Sequence, residues 1–71
     1  MTERQHSIVR QLEELKANKA YAPSAYDLAW KYSVNNGWEH YPEPSVRRDI
    51  GALRAQGYKI TNNGNGYRLA K

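Results

Sequence analysis

The sequence predicts an α+β domain in which three helices are followed by a two-stranded antiparallel β-hairpin. Three segments carry apolar residues on one side at helical period, and two short strand-like segments flank the turn-forming stretch NNGNG. With 71 residues and no cysteine, the core must come from packing alone, and one domain spanning residues 1–71 is expected.

The first helix is predicted over residues 3–17. Thr2 and Gln5 have the spacing of a capping box. The predicted apolar stripe is Ile8, Val9, Leu12 and Leu15. The side expected to face solvent comprises Arg4, Gln5, Arg10, Gln11 and Glu14.

The second helix is predicted over residues 24–33, where Ser24 and Asp27 supply the cap and an acidic first turn. Its inward residues are predicted to be Leu28, Ala29 and Tyr32. Loop 34–42 follows, with an Asn-Gly turn signal and Pro42 at its end.

The third helix is predicted over residues 43–56, because Pro44 suits a first turn and Gly57 suits a C-terminal stop. Strands are predicted over 58–61 and 66–70. The Asn-Gly pairs between them favour the positive backbone angles of a hairpin turn.

One face of the third helix has the composition of a DNA-reading surface. At about 100° per residue, Val46, Ile50 and Leu53 define the buried side. The opposite face consists of Pro44, Ser45, Arg47, Arg48, Gly51 and Ala52. Small side chains let a helix enter the major groove, and arginine matches the paired acceptors of guanine. The alternative is a solvated face whose arginines pair with Asp49 or Glu43.

Positive charge is concentrated in the C-terminal part of the chain. Residues 1–43 hold five Lys or Arg against six acids, whereas residues 44–71 hold six against one. This asymmetry predicts a polyanionic partner for the second part. The alternative is a basic surface that serves solubility.

The phrases SAYDLAWKY, SVRRDIGALRAQGYKI and GNGYRL, in this order, resemble the winged helix-turn-helix domains of bacterial regulators. The types in question are the deoxyribose-operon repressor family and the N-terminal domain of the biotin repressor. The resemblance implies groove and backbone contacts by Ser45, Arg47 and Arg48. It also implies a wing anchored by Tyr67 and Leu69. Three further basic residues are expected to attract the DNA backbone without sequence preference: Lys59, Arg68 and Lys71.

The sequence departs from that family pattern in three ways. Loop 34–42 is longer than the usual turn and contains Trp38, His40 and Tyr41, which either shield a small core or contact DNA backbone or a protein partner. The turn at 62–65 has no Lys or Arg. The family carries a ligand-binding or catalytic domain after the winged helix, whereas this sequence ends at Lys71. Unless it is a fragment, this chain is therefore not expected to sense a ligand itself.

No catalytic, metal or cofactor site is predicted. His6 and His40 lie far apart, without the spacing of a three-ligand set. The adjacent Glu13 and Glu14 project in different directions, and no glycine-rich loop opens a helix. No apolar run has the length of a membrane span. A non-enzymatic, cytoplasmic protein of a bacterium or phage-infected cell is expected.

The resulting functional hypothesis is a small protein that binds double-stranded DNA and regulates transcription, with its third helix in the major groove. Because one such module offers little surface for specificity, a homodimer or tandem assembly on DNA is expected. Two alternatives remain: an adaptor that binds a protein through the basic helix or the Trp38–Tyr41 loop, and an excisionase-like architectural DNA binder.

Overall fold

In the computed structural model, which describes residues 1–16, 21–64 and 66–70, three helices precede an antiparallel hairpin. The elements are α1 (Glu3–Glu14), α2 (Ala25–Asn35), α3 (Glu43–Ala55), β1 (Lys59–Asn63) and β2 (Gly66–Ala70). The predicted α+β class and the order of elements are confirmed, and the layout is consistent with a winged helix.

Both predicted N-terminal caps form. The Thr2 hydroxyl accepts the backbone N–H of Gln5 at 3.2 Å, and the Gln5 side chain accepts the backbone N–H of Thr2 at 3.2 Å. Ser24 and Asp27 make the same reciprocal pair at the start of α2. These two capping boxes satisfy backbone donors that a helix start otherwise leaves unpaired.

The helix ends differ from the predicted ones by a few residues. Helix α1 ends at Glu14, because the Lys16 N–H bonds the Glu13 carbonyl in a tight turn, and predicted residue 17 lies outside the described residues. Helix α2 runs to Asn35, two residues beyond its predicted end. There Asn36 closes the helix by donating its side-chain amide to the Tyr32 carbonyl at 2.8 Å.

The core lies between the three helices and the inner face of the hairpin. Val46, Ile50 and Leu53 are at most 1% exposed, as the helical period of α3 predicted. The remaining buried apolar residues are Ile8, Val9, Leu12, Ala25, Leu28, Ala29, Tyr32, Tyr41, Ile60 and Tyr67. Leu69 packs against this cluster from β2.

Two glutamines of α1 are buried, so the predicted solvent-facing side of this helix is wrong at these positions. Gln5 is 9% exposed and Gln11 is 7% exposed. Their amides are tolerated there because they find partners: Gln5 donates to an Asp49 carboxylate oxygen at 3.3 Å, and Gln11 donates to the Leu28 carbonyl at 3.3 Å.

The hairpin packs against the chain at residues 21–23. The Tyr67 N–H donates to the Pro23 carbonyl at 2.8 Å. Gly66 is buried, and a Cβ at this position would lie 2.1 Å from the Ala22 carbonyl oxygen. Glycine is therefore required here by the close approach of two backbone segments.

Candidate nucleic-acid interface

The outward face of α3 is basic and has little bulk. Arg47, Arg48 and Gly51 are exposed, and no atom lies within 4 Å of the position that a Gly51 Cβ would take. Pro44 is also exposed, while the flanking Ser45 and Ala52 are half-buried. The predicted face is therefore accessible on the surface. The side chains of Arg47 and Arg48 project beside Gly51, which has no side chain.

Asp49, which follows the two arginines in the sequence, faces the inner side of α3 and is fixed there by two hydrogen bonds. One of its oxygens accepts the Tyr41 hydroxyl, and the other accepts the Gln5 amide at 3.3 Å. Burial, and then the hydrogen bond to Asp49, raises the pKa of Tyr41 above its usual range. Tyr41 therefore stays protonated as a donor to Asp49.

Within the described part of the chain, the one ion pair joins Arg4 and Glu39, with 3.3 Å between a guanidinium nitrogen and a carboxylate oxygen. Asp49 and Glu43 thus make no ion pair with Arg47 or Arg48. The predicted alternative, local neutralisation of this arginine pair, is not what the structure has. The charge of the two guanidinium groups remains available to a ligand.

A cleft of about 170 Å³ separates α3 from the hairpin turn. Its lining residues are Ser24, Ala25, Glu43, Arg47, Asn62, Gly64, Gly66 and Tyr67. The fold therefore brings Arg47 together with the start of α2 and the hairpin turn. Sequence reasoning placed Arg47 on α3 but gave no sign of this cleft, because its walls come from three separate segments.

The other predicted basic contacts lie away from Arg47. The strand register pairs Thr61 with Arg68, so Lys59 and Arg68 share the hairpin face opposite the one that carries Tyr67. Arg68 is half-buried as a residue, and its guanidinium donates to the Tyr21 carbonyl at 3.2 Å. Lys71 lies outside the described residues.

The three residues singled out in loop 34–42 have different environments. Tyr41 is 4% exposed and belongs to the core, with its ring centroid 5.2 Å from that of Tyr32. His40 is exposed. Trp38 is 71% exposed, and its ring meets Trp30 edge to face at 6.5 Å. Tyr41 thus shields the core as one alternative expected, whereas Trp38 does not.

Arg4 positions this loop, a role that sequence reasoning missed. Its guanidinium lies 4.6 Å from the centroid of the Tyr41 ring, donates to the His40 carbonyl at 2.8 Å and pairs with Glu39. Arg4 thereby ties α1 to the segment that leads into α3. No local signal could have revealed it, since 35 residues separate Arg4 from Glu39.

Among the described residues, no group of three or more His, Cys, Asp or Glu side chains could hold a metal ion. In the same residues, no helix combines the length and apolar character needed to cross a bilayer. Comparison with protein-family models, with curated proteins and with solved structures gave no match.

Proposed function

We propose that this protein binds double-stranded DNA with α3 in the major groove. The observation that carries the proposal is the separation of charge on α3: Arg47 and Arg48 point outward without an ion-pair partner in the described residues, while Asp49 is bound on the inner side. A polyanion is the partner that such a surface attracts.

The shape of the face suits this partner. The major groove is about 12 Å wide and admits a helix whose facing side chains are short. Gly51 and the half-buried Ala52 add little side-chain bulk to the centre of the face. The helix can therefore approach the base pairs closely enough for the long side chain of Arg48 to reach a base edge. Arginine pairs with the two acceptors of guanine through parallel hydrogen bonds, which is the commonest specific contact.

Arg47 has a different role in this proposal. Since it lines the cleft beside the hairpin turn, it contacts a phosphate at the groove edge and fixes the register of the helix on the duplex. Lys59, Arg68 and Lys71 add attraction to the backbone without sequence preference. About four to six phosphate contacts in total give an affinity that falls steeply with salt.

The biological role that fits is regulation of transcription in the cytoplasm of a bacterium or a phage-infected cell. The resemblance to winged helix-turn-helix regulators supports it, as does the order of three helices and a hairpin. The protein acts without a cofactor or catalysis in this role. A module of this size gains specificity by binding as a homodimer or in tandem.

The proposal is tested by measuring binding to random-sequence and genomic duplexes and then to the enriched sites. The affinities are measured by fluorescence anisotropy with labelled duplexes. Between about 50 and 200 mM salt, four to six phosphate contacts predict an affinity loss of roughly 10²- to 10³-fold. Arg48→Ala should cost roughly 1–3 kcal/mol, about 5- to 150-fold, and relax the sequence preference. Arg10→Ala, an exposed arginine on α1, is the matched control and should change little.

Absence of binding at the lower salt concentration would refute the proposal. Equal losses from Arg48→Ala and Arg10→Ala would instead show that α3 is not the reading element. The exposed Trp38 favours one rival, an adaptor that binds protein. In that case Trp38→Ala abolishes function while Arg47→Ala and Arg48→Ala are tolerated. An excisionase-like architectural role shares the DNA face and is recognised by bending of the bound duplex.

A further inference from the structure

The outer side of α2 carries an unpartnered aromatic surface, and we infer that a second copy of this chain packs on it. The aromatic surface is defined as Tyr26, Trp30, Val34 and Trp38, which are respectively 60%, 53%, 37% and 71% exposed. None of these residues contributes to the proposed DNA-binding face of α3. The inference therefore does not depend on DNA binding and is tested without DNA.

Helix α2 is apolar on two sides. Its inner side is buried in the core through Leu28, Ala29 and Tyr32, whereas its outer side exposes Tyr26 and Trp30. An apolar stripe on a helix normally packs against another element, whereas this outer stripe is exposed. Four of the six large hydrophobic residues that are exposed in the described part of the chain belong to this one surface. The concentration of these residues on α2 and the turn that follows it distinguishes this surface from ordinary scattered exposure.

The aromatic surface contains both a ridge and an adjacent groove. Tyr26, Trp30 and Val34 are spaced four residues apart and form a ridge along the helix. The neighbouring row at Ala29 and Ser33 has small side chains and lies in a groove of about 270 Å³. Residues 40–43 form the opposite wall of this groove.

Because the ridge and the groove lie side by side on one surface, a second copy of the same chain can fit both. In a two-fold dimer the same patch occurs on both subunits, so each aromatic ridge can enter the groove of the other. Helices most often pack in this way, with rows of residues four apart interdigitating. A partner without a ridge would leave the groove of this chain empty, which favours self-association over a flat partner.

The turn after α2 holds Trp38 at the end of the ridge at a conformational cost. Trp38 has φ of 64°, in the left-handed region that bulky residues rarely adopt, and follows Gly37 with φ of 65°. Its N–H donates to the Ser33 carbonyl at 2.6 Å, which fixes the turn. A backbone conformation of this kind is strained in a bulky residue, and such strain is concentrated at functional sites. Here it maintains an exposed tryptophan beside Trp30.

The area of the aromatic surface matches a small specific interface. With roughly 200–250 Å² for each fully exposed aromatic side chain, the exposed parts of Tyr26, Trp30 and Trp38 amount to about 400 Å². Two copies together supply about 800 Å² of apolar area. At an apolar share of roughly 65%, this area corresponds to an interface of about 1,200 Å², the lower end of the standard class.

The aromatic surface belongs to the less basic part of the chain. Residues 25–43 contain Lys31 against Asp27, Glu39 and Glu43, a net charge of −2 in a chain of +4. Two copies that meet here keep their most basic regions apart. Neither Arg47 nor Arg48 lines the groove, so both remain available in the dimer.

Sedimentation velocity on the full chain without DNA tests the inference. We expect a reversible dimer with a dissociation constant of about 1–100 µM, as small interfaces usually give. Trp30→Ala should weaken this dimer at least about tenfold, since tryptophan is a typical hot-spot residue. Tyr21→Ala is the matched control, because Tyr21 is also an exposed aromatic residue but lies outside the aromatic surface.

Intrinsic fluorescence of the unmodified protein gives a second readout that needs no variant. The chain has two tryptophans, and both belong to the aromatic surface. Their emission should shift to the blue as concentration rises through the dimer range. A wild-type protein that stays monomeric above about 500 µM would overturn the inference. So would a dimer that Trp30→Ala leaves intact, or one that forms without any change in tryptophan emission.

Discussion

Replacing Gly66 with alanine tests the contact between the hairpin and residues 21–23. The added Cβ would lie 2.1 Å from the Ala22 carbonyl oxygen and 2.6 Å from the Ala22 Cβ. Both are far below any van der Waals separation, so β2 or the backbone at Ala22 must move. That movement also lengthens the 2.8 Å hydrogen bond from the Tyr67 N–H to the Pro23 carbonyl.

The expected cost follows from these two contributions. Overpacking at a rigid site costs about 1–3 kcal/mol. Loss of the Tyr67 hydrogen bond adds about 0.5–1.5 kcal/mol, so the free energy of unfolding should fall by roughly 2–4 kcal/mol. A domain of this length has about 4–10 kcal/mol in total. The melting temperature should consequently fall by about 10–25 °C.

Thermal and urea denaturation followed by circular dichroism measure the effect, and Gly51→Ala is the matched control. Gly51 lies inside α3 with open space around it, so the same substitution there should stabilise the fold by about 0.5–1 kcal/mol. A Gly66→Ala protein within about 0.5 kcal/mol of wild type would refute the close approach of β2 to Ala22.

Three further predictions concern Tyr41, Arg4 and the face of α3. Because burial and Asp49 raise the pKa of Tyr41 in the folded state, its contribution to stability is complete below about pH 10 and is lost as the pH rises, by up to about 1.4 kcal/mol per pH unit. In urea unfolding at two alkaline pH values, the free energy of unfolding should fall less between the two for Tyr41→Phe than for the wild type. An equal fall in both proteins would contradict this reasoning. Arg4→Ala should lower the free energy of urea unfolding by about 1–2 kcal/mol through loss of its loop contacts, and a neutral result would mean that Arg4 does not hold the loop. Gly51→Glu should not lower the melting temperature, since it replaces a glycine inside a helix, but it should weaken duplex binding in anisotropy at least about tenfold, because it adds bulk and negative charge to the proposed groove face; unchanged affinity would count against that face.

The elements and the buried side of α3 could be predicted because they depend on local patterns. Val46, Ile50 and Leu53 follow one helical stripe, and the outward position of Arg47 and Arg48 follows from the same geometry. Caps and turns are local too, which explains why Thr2 and Ser24 cap the helices as expected.

The interactions that sequence reasoning missed join residues that are distant in the chain. Gln5 reaches Asp49 across 44 residues, and Gln11 reaches Leu28 across 17. A polar residue next to an apolar stripe gives no indication of such a partner, so the sequence predicts both glutamines in solvent. In the sequence Gly66 is only part of the hairpin motif, since its steric requirement comes from Ala22.

The packing around the hairpin also bears on the exposure of its strand edges. A short sheet with free edges offers unpaired backbone groups to strands of other chains, which is a common start of aggregation. Here the chain at residues 21–23 covers β2, and the Arg54 side chain donates to the outward carbonyl of Ile60 on β1 at 2.9 Å. Each strand is thus engaged on its outer side by a different part of the chain. This arrangement disfavours strand addition.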